Sequence, residues 1–259
     1  MLLLLKLTLS PSLVAVATLV ARRWGPTAGG ILIGFPLSTG PIFLFLAIEH
    51  GLDFAERAVV GILSGLVGLA AFALIYAAVS RRIGWIGSLV AAVFGFFIVS
   101  IGMTRIEGGV VGSGLAAYAA LSLAASLIQR PRLDMAKAKP PWWDLWLRMV
   151  AATILTLAIT AAANLLGPVP SGIIGTYPVI ITVVATFTHH QWGREAAVAM
   201  LRGSVLSWIS FASCFLVIGL ALKAYGLAPS LALGALAVIA TSTLVLWIDR
   251  RVTPTQRQA

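Results

Sequence analysis

Of the 259 residues, 60% are hydrophobic and 10% are charged, against roughly a quarter charged in a soluble domain; charges this sparse cannot cover a water-facing surface, which excludes a soluble globular fold. The formal net charge is +10, yet the basic residues stand in short gaps between apolar runs and build no continuous face, so they speak against nucleic acid and for a membrane with anionic lipid. One cysteine, Cys214, lies inside an apolar run, which leaves no intrachain disulfide and reads as a small buried hydrophobe.

Charged residues and Gly/Pro clusters divide the chain into nine apolar runs: 3–23, 28–48, 55–79, 83–103, 108–128, 145–165, 171–188, 195–221 and 227–248. A helix of about 20 apolar residues crosses the roughly 30 Å hydrocarbon core. No barrel-like alternation is visible, so helices are the spanning structure. The expected fold is all-α: a polytopic membrane protein with about nine transmembrane helices. The first run is preceded by no basic stretch and followed by no small-x-small cleavage site, so it reads as a retained membrane helix and not a signal peptide.

Between the fourth and fifth runs, Arg105 and Glu107 share a tight turn and read as an exposed ion pair. Gly108 and Gly112 open the fifth run at a spacing that permits close helix packing. The one sizeable loop follows, basic and proline-punctuated, and reads as a lipid-facing linker. Trp142, Trp143 and Trp146 stand where it re-enters the bilayer, as interfacial aromatic residues do. With the C-terminus inside, fourteen of the eighteen Lys and Arg residues fall on the inner side. Lys6, Arg57, Arg105 and Lys223 remain outside, beside the acidic loop of Glu49, Asp53 and Glu56. That asymmetry predicts a multi-pass protein of the cell inner membrane, N-terminus outside and C-terminus cytoplasmic.

Laid against itself with Gly25 on Gly167, the chain matches its own second half. Gly25-Pro26 and Gly30-Ile31 fall on Gly167-Pro168 and Gly172-Ile173, and Phe35-Pro36 on Tyr177-Pro178. The match continues without a gap through Gly51 and Gly193, Gly61 and Gly203, and Gly84 and Gly226. Residues 25–89 give 14 identities in 65 positions, and seven of these are Gly or Pro, residues that mark backbone geometry and not apolar bias. The predicted organisation is repeat 1 at 1–104, a connecting helix at 105–128, a basic cytoplasmic linker at 129–144, repeat 2 at 145–249 and a tail at 250–259. An odd number of helices between the two starts turns the second repeat over. The result is a 4+1+4 inverted-topology repeat, an architecture shared by many secondary transporters.

The second and seventh runs carry prolines at matching positions. Proline lacks an N–H and clashes with the preceding turn, so both helices should break near Pro36 and Pro178 and free the carbonyls of Leu32 and Ile174. Broken helices at membrane depth line a cavity or are buried in protein. The half-helix N-termini would favour an anion or an acceptor-bearing polar group. The expected substrate-binding residues are Gly34, Pro36, Ser38, Thr39, Gly175, Thr176, Tyr177, Pro178 and Thr182; the competing reading is kinked packing helices whose Ser and Thr bond their own backbone. Glu49, His50, His189 and His190 close these helices and are candidates for a coupling proton, against a plainer role as interfacial polar residues.

The expected function is a secondary transporter of a small polar or anionic solute, by alternating access about the two broken helices. A lipid flippase and a non-transporting subunit of a larger complex are the alternatives. An enzyme is not expected: no metal motif and no nucleophile beside a base is present. No cofactor is expected, and no nucleotide-binding loop, so transport would be driven by a gradient or a separate ATPase. The expected partners are membrane lipid and the small solute, with self-association into a homo-oligomer left open.

Overall fold

The computed structural model describes residues 2–36, 39–103, 105–106, 108–129, 141, 143–166 and 177–252. Among them every regular element is a helix. In chain order they are α1 (Leu2–Trp24), α2 (Pro26–Gly34), α3 (Thr39–His50), α4 (Leu52–Val79), α5 (Trp85–Met103), α6 (Gly109–Leu127), α7 (Asp144–Leu166), α8 (Val179–Tyr225) and α9 (Leu227–Val252).

Glycine and proline place the breaks. Phe35 is extended (φ −72°, ψ 149°) and ends α2, because the ring of Pro36 disfavours the helical region for the residue before it. The Phe35 N–H then reaches the Leu32 carbonyl at 3.4 Å, so that carbonyl, expected to be free, has a partner at the helix end. Pro178 (φ −82°, ψ 69°) is likewise non-helical, and α8 starts after it. Gly51 (φ 83°, ψ 178°) separates α3 from α4, and Gly193 (φ 83°, ψ 175°) breaks α8 internally. That region of φ/ψ space is essentially closed to residues with a Cβ. One element boundary recurs at the offset that puts Gly51 on Gly193: α5 and α9 begin at Trp85 and Leu227.

Five segments among the described residues are long and apolar enough to cross a membrane: α4, α5, α6, α8 and Leu227–Asp249 of α9. The expected second span is divided at Pro36 into helices of 9 and 12 residues, about 14 and 18 Å long and each too short to cross alone. The runs expected as the seventh and eighth spans meet in the single 47-residue α8, which Gly193 breaks; residues 171–176 of the seventh lie outside the described residues.

The packing is that of a chain dissolved in lipid. On α5 the exposed stripe is Ile86, Val90, Phe94, Ile98 and Ile101, with Phe94 65% and Ile98 69% accessible. α6 exposes Val111, Leu115, Leu123 and Leu127 in the same way. The interior instead holds hydroxyls, among them Thr18, Ser100, Thr182, Thr186, Ser204 and Ser210. Apolar side chains gain nothing by leaving hydrocarbon, so small and polar residues take the helix contacts. α2 lies against α8 in this manner: a Cβ on Gly30 would meet the Met200 carbonyl, and one on Gly203 the Thr27 carbonyl. Trp143 and Trp146 are exposed at the start of α7, while Cys214 is buried.

Two ends of the bundle are defined by contacts. Lys223 Nζ meets Glu56 Oε2 at 2.6 Å, joining the end of α8 to the start of α4. At the other end of α4, Arg81 lines a cavity together with Arg194. The 28 residues of α4 rise about 42 Å, so Gly51 and Gly193 stand at opposite ends of the bundle.

Candidate functional site

The site is built around the break at Pro178. Tyr177, held just before the proline, packs between two rings of α5: edge-on to Phe96 at 5.5 Å and stacked on Phe97 at 5.8 Å. Thr182 Oγ1 donates to the Tyr177 hydroxyl at 3.1 Å. One turn further on, Thr186 Oγ1 donates to the Thr182 carbonyl at 2.6 Å. Tyr76, fully buried on α4, lies 3.0 Å from Nδ1 of His189. Residues 182, 186 and 189 fall on one helix face by their spacing. A row of polar groups therefore runs along α8 from the break toward Gly193, walled by aromatic rings of α4 and α5.

The break at Pro36 faces a second polar row. Gly34 sits against Ser204 and Ser207, and Ser204 Oγ donates to the Gly30 carbonyl at 2.9 Å. Ser207, Ser210 and Ser213 continue every third residue along α8, all buried. Ser213 pairs with the Tyr118 hydroxyl at 2.5 Å, whereas Ser210 Oγ has no hydrogen-bond partner in the structure. The Gly40 N–H bonds the Pro36 carbonyl at 3.0 Å, which turns the chain into α3. This serine row was legible as a three-residue spacing inside an apolar run, a signal that composition alone hides.

A third feature was not anticipated. Asp144, the first residue of α7, is completely buried, and so is Arg148 one turn later. Arg148 Nε donates to both carboxylate oxygens of Asp144, at 3.1 and 2.9 Å. Arg22 of α1 adds a contact at 2.5 Å, and Gln191 of α8 donates to the same carboxylate. Arg148 also reaches Gln191 Oε1 at 2.9 Å and lies 5.1 Å over the Phe187 ring. One carboxylate thus ties α1, α7 and α8 together. A Coulomb pair alone does not compensate burial of both ions; here the guanidinium and carboxylate fill their remaining positions with Gln191, Arg22 and an aromatic face. The sequence signal was an Asp and an Arg four residues apart on one helix; Arg148 entered above only as one of the fourteen inner-side cations.

The expected site residues separate into groups. Tyr177, Pro178 and Thr182 come together, and Gly34 lies against the α8 serines, with Pro36 two residues further on. Thr39 begins α3. Ser38, Ile174, Gly175 and Thr176 lie outside the described residues, as does Glu107. His189 joins Tyr76, whereas His190 is exposed and packs against Trp85 at 5.6 Å. Glu49 and His50 are exposed at the end of α3, and His50 lies 4.7 Å from Phe54. These two stand at the opposite end of α4 from His189.

No known protein family, curated protein or solved structure matches the chain.

Proposed function

We propose that the chain is a secondary transporter of a small polar or anionic solute, with nine spans arranged as a 4+1+4 inverted repeat. The observation that carries this reading is a matched pair of proline-marked helix ends. The chain is non-helical at Phe35-Pro36, where α2 ends, and at Tyr177-Pro178, where α8 begins, at matching positions of the two halves, and each adjoins a row of buried hydroxyls. Interrupted helices at corresponding positions of two halves are the feature that places a transporter's binding site. Support for the inversion comes from Gly51 and Gly193, alike in backbone and set at opposite ends of α4. On this reading the N-terminus is outside and the C-terminus cytoplasmic, Gly193 marks the inner end, and the Asp144 cluster closes that end. The His189–Tyr76 pair lies on the inner path and would carry a coupling proton.

The test is a solute screen in proteoliposomes, with and without an imposed pH gradient. A protein-dependent, gradient-dependent uptake of one polar or anionic solute is the expected result. Scrambling of a fluorescent phospholipid with no solute uptake would replace this reading by the flippase.

A further inference from the structure

At the end of the bundle that holds Gly193, the ends of α4 and α6 and the second part of α8 enclose a cavity of about 800 Å³. Its wall is aliphatic, with Leu74, Ile75, Leu127 and Val198. Its rim carries Arg81, Gln129, Arg194 and Glu195. The guanidinium donors there are not used up. Arg194 Nη1 pairs with Glu195, but Arg194 Nε is buried with no hydrogen-bond partner in the structure. Arg81 reaches Gln129 Oε1 only at 3.5 Å, the outer limit of a hydrogen bond. Two guanidinium groups facing one carboxylate leave a net positive rim.

A positive rim over an aliphatic slot fits a ligand that is anionic at one end and hydrocarbon at the other. A bare phosphate would leave the slot empty, and a zwitterionic headgroup would offset the rim's charge with its own cation. We propose that this cavity binds an anionic phospholipid, its phosphate on Arg81 and Arg194 and the first part of an acyl chain along Leu74, Ile75 and Val198. Arginine is suited to the phosphate because its planar fork presents several donors at once. The choice of leaflet, cytoplasmic, rests on the topology proposed above; the binding does not.

The experiment uses the full chain in detergent, titrated with short-chain phosphatidylglycerol and read by native mass spectrometry and thermal melting. Phosphatidylglycerol should stay bound and raise the melting midpoint, while phosphatidylcholine of equal chain length should do neither. Arg81→Gln with Arg194→Gln should weaken binding about tenfold or more. Arg82→Gln, next in sequence but off the cavity lining, should leave binding unchanged. Ala78→Trp keeps both arginines and fills the slot, and should lose the lipid as fully. Glycerol 3-phosphate, the headgroup chemistry without tails, should not compete. Should the double variant fold poorly, Arg81→Gln alone, at an exposed position, serves in its place. Unchanged phosphatidylglycerol binding in the arginine variant, or equal binding of phosphatidylcholine, would overturn the proposal. Competition by glycerol 3-phosphate as strong as by the lipid would also overturn it, leaving a soluble-anion site.

Discussion

Gly51 and Gly193 hold one backbone conformation, φ 83° at both with ψ 178° and 175°, although they stand at opposite ends of α4. Each ends one helix and starts the next within a single residue. An added Cβ would meet open space at both positions, so the cost of substitution is conformational and not steric crowding. Gly51→Ala and Gly193→Ala should each destabilise by about 1–3 kcal/mol, and by similar amounts. Detergent melting curves of the two variants measure this. A large loss at one position with none at the other would show that the two breaks are unrelated.

Pro36→Ala and Pro178→Ala restore a backbone N–H and relax the residue before it. In a plain packing helix the change should be neutral or mildly stabilising. At a binding site it should leave the protein folded and impair uptake in proteoliposomes, alike in both variants. Normal uptake by both would assign the breaks to packing.

Asp144→Asn leaves Arg148 buried without its carboxylate, and loss of one partner of a buried pair costs about 3–5 kcal/mol. Asp144→Leu combined with Arg148→Met removes both charges and should recover much of that loss. The Arg194–Glu195 pair, half-buried at Arg194 and exposed at Glu195, is the contrast: Glu195→Gln should cost no more than about 1 kcal/mol. Equilibrium unfolding of these variants beside the parent gives the comparison, and a mild effect of Asp144→Asn would remove the cluster from the structural core.

The two adjacent histidines should behave differently. His189 has a buried phenol as partner, while His190 is exposed against Trp85. His189→Gln and Tyr76→Phe should weaken the dependence of uptake on the pH gradient and leave solute exchange intact; His190→Gln should do neither. Gradient dependence that survives in His189→Gln would take this residue out of proton coupling.

Reporter fusions after Arg23, Arg82, Met135 and Arg251 should signal the cytoplasm, and fusions near Asp53 and Tyr225 the outside. The Lys223–Glu56 contact requires those last two positions to agree with each other. Signals from the same side at Asp53 and at Arg194 would exclude the inverted arrangement.

The apolar runs, the positions of the breaks and the recurrence of Gly25-Pro26 as Gly167-Pro168 were all legible in the sequence. Each rests on local chemistry: proline disfavours the helical conformation before it, glycine alone readily tolerates the positive φ of a one-residue break, and a helix in lipid must be apolar along its exposed face. What the sequence did not determine is which polar groups meet. Arg148 was, by sequence, one of fourteen inner-side cations, yet it is buried, because α1 and α8 bring Arg22, Gln191 and Phe187 around it. His189 and His190 were equivalent as neighbours at a helix end; only the packing of α4 against α8 gives one of them Tyr76. Contacts between residues far apart in the chain depend on how helices rotate and cross. That is settled by small-residue packing, such as Gly30 on Met200 and Gly203 on Thr27, which hydropathy cannot register.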